Sequence, residues 1–390
     1  MTAGWLSTEI PGGCARVEMD GQVPVLRPDA PDEISGNAWY AFMVGVAATD
    51  KPREIELRWP EVKPWSACDY NDNDSFAEVL DRAIFMDRSD GRWRRIERVT
   101  RTDTGARITI PPGPADRRLA VGMPVTQQDL DETLSYARES KGARVEQIGL
   151  APQGTPLHAI VLDGSEEAAG TFVISAHQHF SEWAGIRMID AMLHHLLDEP
   201  CPLLRRFRWI FYPCINADAL AHGWRGDPHR TAGVNLNRDW GPFQQPQTRA
   251  VRDHLLKELD NGPPLLHALD LHMGWHSRDT CGAGLTVFEE GNSPQSLIDQ
   301  QADFTRWFYQ RADYTDFVWN HGDVDRPNFA AWVWRAFNRP GQTLEVSRHR
   351  WRLRADGRWV PPSVDLQRRL GAAVAENLAG FYDPTAKEKR

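Results

Sequence analysis

His179 and Glu182 stand three residues apart in the stretch "SAHQHFSEWAG", Ser175 to Gly185. An imidazole and a carboxylate at that spacing can share a cation. A chain with 13 His and 54 acidic residues nevertheless holds an HxxE by chance about once, so the pair reads equally as a loop ion pair until partners are found. Partners exist. Asn216 and Asp218 follow the run "WIFYPCI", Asp270 and His272 end the run beginning "LLHAL", and Glu345 ends "GQTL". His179, Glu182 and His272 together make a donor set suited to catalytic zinc, a short-spaced pair plus one distant ligand, with a position left for water. Zinc so held lowers the pKa of that water toward neutrality and polarises a carbonyl. Glu345 is then the carboxylate available to take a proton and pass it to a leaving amine. The bland alternative for Glu345 is a buried structural carboxylate, and Asp270 reads equally as a group that orients a neighbouring ligand or as a satisfied strand-end carboxylate. His177 falls on the opposite side of an extended segment from its neighbours and reads as a packed side chain.

These groups need a scaffold that brings strand ends together. From near Pro124 onward, apolar runs ("LHAIVL", "GTFVISA", "FRWIFYPCI", "PLLHALDLH") alternate with helical patterns ("VTQQDLDETLSYARE", "WAGIRMIDAMLHHLLD", "QTRAVRDHLLKELD"). That alternation predicts an α/β domain with a mixed, largely parallel sheet flanked by helices. In such sheets ligands bind beyond the carboxyl ends of the strands, which is where the His, Glu, His and Glu fall. The first third is different. "AWYAFMVGVAA", "EIELRWP", "RWRRIERVT" and "ARITIPP" are short, rich in β-branched and aromatic residues, and separated by turn formers such as "CDYNDNDS". They predict a small all-β sandwich. The division expected is therefore 1–124, an amino-terminal β-sandwich, and 125–390, the α/β domain that carries the chemistry.

Composition narrows the function classes. The 390 residues, 41% hydrophobic and 25% charged, are those of a globular protein large enough for two cores. A formal net charge of −9 gives no bulk electrostatic case for nucleic acid. No 18-residue apolar run argues for a membrane span, and the first residues lack a signal-peptide pattern. Cys14, Cys68, Cys201, Cys214 and Cys281 are scattered without CxxC spacing, which fits free thiols in a reducing cytoplasm.

Quoted in order, "HFSEW", "INADA", "GVNLNRDW", "DLH" and "TLEV" resemble the motifs of the zinc metallocarboxypeptidases of the carboxypeptidase A type, over roughly Val145 to Tyr382. The stretch within Gly91 to Leu134, and "RDWGPFQQP", are similar to the cytosolic, deglutamylase-like subfamily, in which a β-sandwich precedes the catalytic domain. The resemblance implies one zinc per chain on His179, Glu182 and His272, and Glu345 as general base and acid. It implies Asn237 and Arg238 as binders of the substrate's terminal carboxylate, for which a guanidinium fork is well shaped. It also implies an arginine for the oxyanion, for which the loop offers Arg225 or Arg230. Arg238 as a structural ion pair is the competing reading.

Departures from the family pattern are informative. Asn235 stands where the family has an aspartate supporting a zinc-bound histidine, and a neutral partner is expected to weaken that ligand's orientation and basicity. The usual substrate-closing tyrosine is absent, with Asn320 and His321 nearby instead. The arginine by which the subfamily reads acidic side chains falls in register near Ala330, with Arg326 a few residues away.

The function expected is hydrolysis of a C-terminal amino acid from a peptide or protein tail. Two alternatives share the ligand pattern: a zinc amidohydrolase acting on a small N-acyl amino acid, as in the deacylases related to aspartoacylase, and a non-catalytic binding module.

Overall fold

The computed structural model describes residues 4–11, 13, 15–28, 43–58, 84–87, 92–102, 105–114, 117–165, 168–180, 182–198, 205–223, 234–274, 283–288, 292–313, 316–320, 324–347 and 351–383. The chain divides into two compact units, one chiefly Met1–Thr126 and the other chiefly Gln127–Asp218, Ala232–His276 and Thr280–Arg390.

The amino-terminal unit holds two five-stranded sheets. One orders Leu6–Ser7, Met43–Val46, Arg117–Val121, Ile84–Asp87 and Arg94–Arg95. The other orders Ala15–Asp20, Val23–Pro28, Arg53–Arg58, Gly105–Ile110 and Val99–Thr102. Pairing is antiparallel except between Val23–Pro28 and Arg53–Arg58. Alternation buries Val44, Val46, Ile108 and Ile110. Arg117 is buried in this core and donates to the carbonyls of Pro114 and Pro111 and to the Thr49 hydroxyl, which satisfies a guanidinium withdrawn from water.

The second unit is built on an eight-stranded sheet. Its strands are β1 (Ala143–Leu150), β2 (Pro156–Leu162), β3 (Thr171–Ala176), β4 (Arg208–Tyr212), β5 (Leu265–Gly274), β6 (Ala283–Val287), β7 (Asp316–Asn320) and β8 (Gly341–Ser347). They lie in the order β1-β2-β4-β3-β5-β8-β6-β7. The four central strands β4, β3, β5 and β8 run parallel. β3 is buried at every position, as its unbroken apolar run "TFVISA" requires of a central strand covered on both faces. Helices α1 (Gln127–Glu139), α2 (Ala184–Leu197), α3 (Pro246–Asp260), α4 (Gln295–Arg311), α5 (Phe329–Phe337) and α6 (Val364–Tyr382) flank the sheet. Among the described residues, no helix is long and apolar enough to cross a membrane.

Two glycines permit close approaches that position α2. A Cβ at Gly185 would lie 2.8 Å from the Ala176 Cβ and 3.1 Å from the Leu271 carbonyl oxygen, so α2 starts tight against β3 and β5. A Cβ at Gly371 of α6 would lie 2.4 Å from the Met188 carbonyl oxygen in α2. Gly371→Ala must force the two helices apart. A destabilisation of about 1–3 kcal/mol is expected, seen as a lower thermal midpoint. An unchanged midpoint would show that α2 and α6 separate without cost.

Candidate active site

The chain leaves the carboxyl end of β3 through His177, whose φ of 58° puts a non-glycine residue in the left-handed region. His177 is fully buried, its Nδ1 lies 3.5 Å from the Cys214 Sγ, and burial pushes its imidazole down to about 4. It therefore packs as a neutral neighbour. Cys214 is a buried free thiol, and the other four cysteines lie outside the described residues.

Beyond that turn, His179 and Glu182 fold back over the sheet. His272 enters from β5, the neighbour of β3. The three sequence-predicted ligands converge: their donor atoms all lie within 4.8 Å of one another, and all three residues are buried. His179 Nδ1 is 2.8 Å from Glu182 Oε1, and His272 Nδ1 is 2.7 Å from Glu182 Oε2. The outer nitrogens are tied back. His179 Nε2 meets Asn235 Oδ1 at 3.1 Å, and His272 Nε2 meets Asp270 Oδ2 at 2.6 Å. Acceptors at both Nε2 positions hold the protons there and leave both Nδ1 lone pairs facing Glu182, the tautomer that metal ligation needs. Two imidazole nitrogens and a carboxylate, closely grouped and oriented from behind, fit zinc.

The electrostatics agree. Burial opposes charge on Glu182, but the two imidazoles facing it outweigh burial and hold it well below the usual carboxylate range. Burial also opposes a cation at His272, and the Asp270 and Glu182 carboxylates overcome it, raising His272 well above the ordinary imidazole range. The pocket favours a positive charge between these groups.

Asn235 serves two purposes. It caps the single 3₁₀ turn Leu236–Arg238, its Oδ1 accepting from the Asn237 backbone N–H at 2.8 Å, and the same oxygen faces His179. A neutral amide orients the imidazole without adding basicity. Asn235→Asp is expected to tighten zinc binding by roughly 10- to 100-fold in a chelator competition. Unchanged or weaker binding would mean that the amide's capping role outweighs its charge.

Asp270 was named from the sequence, but its own supports, Ser175, Gln178 and Trp240, were not anticipated. Asp270, fully buried, accepts from the Ser175 hydroxyl at 2.7 Å and from the Gln178 side-chain amide. Gln178 in turn accepts from the Trp240 indole N–H at 2.7 Å. A chain of contacts thus runs Trp240, Gln178, Asp270, His272. The available signal was a fully polar residue, Gln178, sandwiched between two histidines directly after a buried strand. Asn216 and Asp218 stand apart from the ligand trio: Asp218 accepts from the backbone N–H groups of Gln153 and Thr155, and the Asn216 amide donates to the Gln178 carbonyl.

Glu345 is the direct cross-strand partner of His272 in the parallel β5–β8 pair, so the two side chains leave the same face of the sheet. It is partly buried. Asn237 is buried, its Oδ1 accepting the Phe329 N–H at the start of α5 and its Nδ2 lying 3.4 Å from His272 Nε2. Arg238 is exposed as a whole, and among the described residues its guanidinium meets the Asn237 carbonyl at 2.7 Å and no carboxylate. Withdrawal of the guanidinium from water, together with the positive charge of Arg326, lowers it from its ordinary value. Arg225, Arg230 and His321 lie outside the described residues. Phe329 and Trp332 are core residues packed around Trp240.

Residues 133–272 match the zinc carboxypeptidase family of M14 peptidases. This segment is similar to a zinc carboxypeptidase domain. The matched range includes His179, Glu182, Asn237, Arg238 and His272, and stops before Glu345. No curated protein matches the chain. Among solved structures the fold is similar to a metallo-carboxypeptidase from Burkholderia cenocepacia, at 18% identity, covering 96% of this chain and 97% of that one, with a TM-score of 0.74. It is also similar to a metallo-carboxypeptidase from Pseudomonas aeruginosa, at 17% identity, covering 96% and 98%, with a TM-score of 0.73. Both likenesses extend over the amino-terminal β unit as well as the α/β unit.

Proposed function

We propose that this metallocarboxypeptidase removes one amino acid from the C-terminus of a peptide or protein tail, with one zinc ion on His179, Glu182 and His272. The observation that carries the reading is the convergence of two Nδ1 atoms on the Glu182 carboxylate, each imidazole tied from behind by Asn235 or Asp270. When bound there, zinc supplies Lewis acidity and a water of lowered pKa.

The chain's own residues do the rest. Glu345, opposite His272, takes a proton from the attacking water as its oxygen bonds to the scissile carbonyl carbon, and gives that proton to the nitrogen as the C–N bond breaks. Arg238 pairs with the terminal carboxylate of the substrate, which restricts cleavage to the chain end. Arg225 or Arg230 stabilises the oxyanion. The cation of Arg326 near Arg238 favours a last residue with a second negative charge. The Pseudomonas aeruginosa relative was solved with (2-guanidinoethylmercapto)succinic acid, a dicarboxylate, which accords with a site that reads carboxylates.

The test is a mass-spectrometric time course with zinc-loaded protein and peptides varied only at the last residue, with free or amidated ends. Loss of single C-terminal residues, blocked by amidation and by a chelator, is expected, fastest for acidic ends. Zinc bound without cleavage of any peptide, together with hydrolysis of acetyl amino acids, would replace this reading with the deacylase one.

A further inference from the structure

On the other flank of the domain, the edge strand β1 and helix α3 bring together Glu146, His254 and Glu258, whose donor atoms lie within 4.8 Å of one another. His254 and Glu258 are one turn apart on the same face of α3. Both are buried, and Glu146 is partly so. His254 Nε2 points into the group, 3.7 Å from Glu146 Oε2 and 4.0 Å from Glu258 Oε1. These separations are too long for hydrogen bonds, and among the described residues His254 Nε2, with a side chain only 6% exposed, has no hydrogen-bond partner. An orphaned buried ring nitrogen aimed at two carboxylates calls for an explanation.

The surroundings orient all three groups. The Tyr212 hydroxyl lies 2.9 Å from His254 Nδ1 and fixes the ring. The outer oxygens of the carboxylates are already engaged. Arg144 binds Glu146 Oε1, and Arg144 and Arg208 both bind Glu258 Oε2. Arg208 also donates to the Glu258 carbonyl at 2.7 Å and to Asp163 Oδ1 at 3.0 Å. What faces inward is one imidazole nitrogen and two carboxylate oxygens. Ligand atoms about 2.1 Å from a tetrahedral metal stand about 3.4 Å from one another, a few tenths of an ångström from the separations here. Three carboxylates, Glu146, Glu258 and Asp163, meet two guanidiniums, so the group keeps a net negative charge while His254 is neutral, and Lys257 lies exposed on the outer side of α3. Burial, aided by the neighbouring cations, pushes His254 down to about 4, so its ring is neutral and can offer a lone pair.

We infer that Glu146, His254 and Glu258 form a second divalent-metal site, suited to zinc, that clamps α3 to the edge strand of the sheet. Mixed imidazole and carboxylate donors suit zinc better than the harder cations magnesium and calcium. The site shares no residue with the carboxypeptidase centre.

The test is elemental analysis of the full chain after equilibration with zinc and dialysis. About two equivalents are expected for the unaltered chain, about one for His254→Ala and Glu146→Gln, and about one for His272→Ala. Zinc should still raise the thermal midpoint of the His272→Ala protein, because binding to the native state stabilises it. Saturation of the unaltered chain at about one equivalent, lost altogether in His272→Ala, would overturn the second site and leave the carboxypeptidase centre intact. Two equivalents retained by both folded His254→Ala and Glu146→Gln would overturn it as well.

Discussion

Replacing Glu345 by Gln is expected to lower kcat by roughly 10²- to 10⁴-fold, with zinc content unchanged and KM little affected. The substitution keeps the shape of the side chain and its capacity to accept a hydrogen bond. It removes the capacity to accept a proton from water and hand it to the amine. Glu345 sits on β8 in direct register with His272 on β5, on the face where the ligands gather, yet outside the trio whose donor atoms cluster. Metal binding should therefore survive. Steady-state kinetics on the best peptide, paired with elemental analysis, would check both halves. A variant within about tenfold of normal turnover would remove Glu345 from the proton path.

Loss of His272 should act at the other end of the mechanism. His272→Ala is expected to weaken zinc binding at the His179–Glu182–His272 site by at least about 10²-fold and to abolish turnover. Zinc sites of about 10–16 kcal/mol, shared among four ligands, give about 3 kcal/mol for each. The effect extends beyond one lost donor, because Asp270 and Glu182, both buried, lose the imidazole between them. A chelator competition measures the affinity. Normal occupancy at this centre would overturn the ligand assignment. Because zinc and a proton compete for the same His272 nitrogen, and facing carboxylates favour the protonated ring, zinc affinity should also fall as pH is lowered.

Much of the architecture was legible in the chain. Apolar runs alternating with amphipathic ones from near Pro124 pointed to a largely parallel sheet, and central strands such as β3, buried on both faces, explain why those runs are continuous. The short strands of the first third were legible from β-branched residues and turn formers, with boundaries shifted by a few residues: "RWRRIERVT" contains the strand Arg94–Arg95 and the start of a second, Val99–Thr102. The types of the candidate ligands were also legible, because imidazole and carboxylate directly after apolar runs are costly to bury without a purpose.

Local pattern could not supply the register between strands that are distant in sequence. That register sets His272 against Glu345 and brings β5 beside β3, so only the tertiary fold decides that His179, Glu182 and His272 meet. It likewise decides that Asn235 spends one oxygen on both a turn and an imidazole, and that Gln178 links Trp240 to Asp270. Glu146 and His254 carried no motif at all. They became neighbours because α3 packs on β1, where a Cβ at Gly149 would lie 2.9 Å from the Ala250 Cβ. By itself the sequence determined which side chains could do chemistry and which runs had to be buried. The packing of helix on sheet determined which of those side chains share a site, because a contact between distant segments depends on register and close approach, and neither is written in any short stretch of chain.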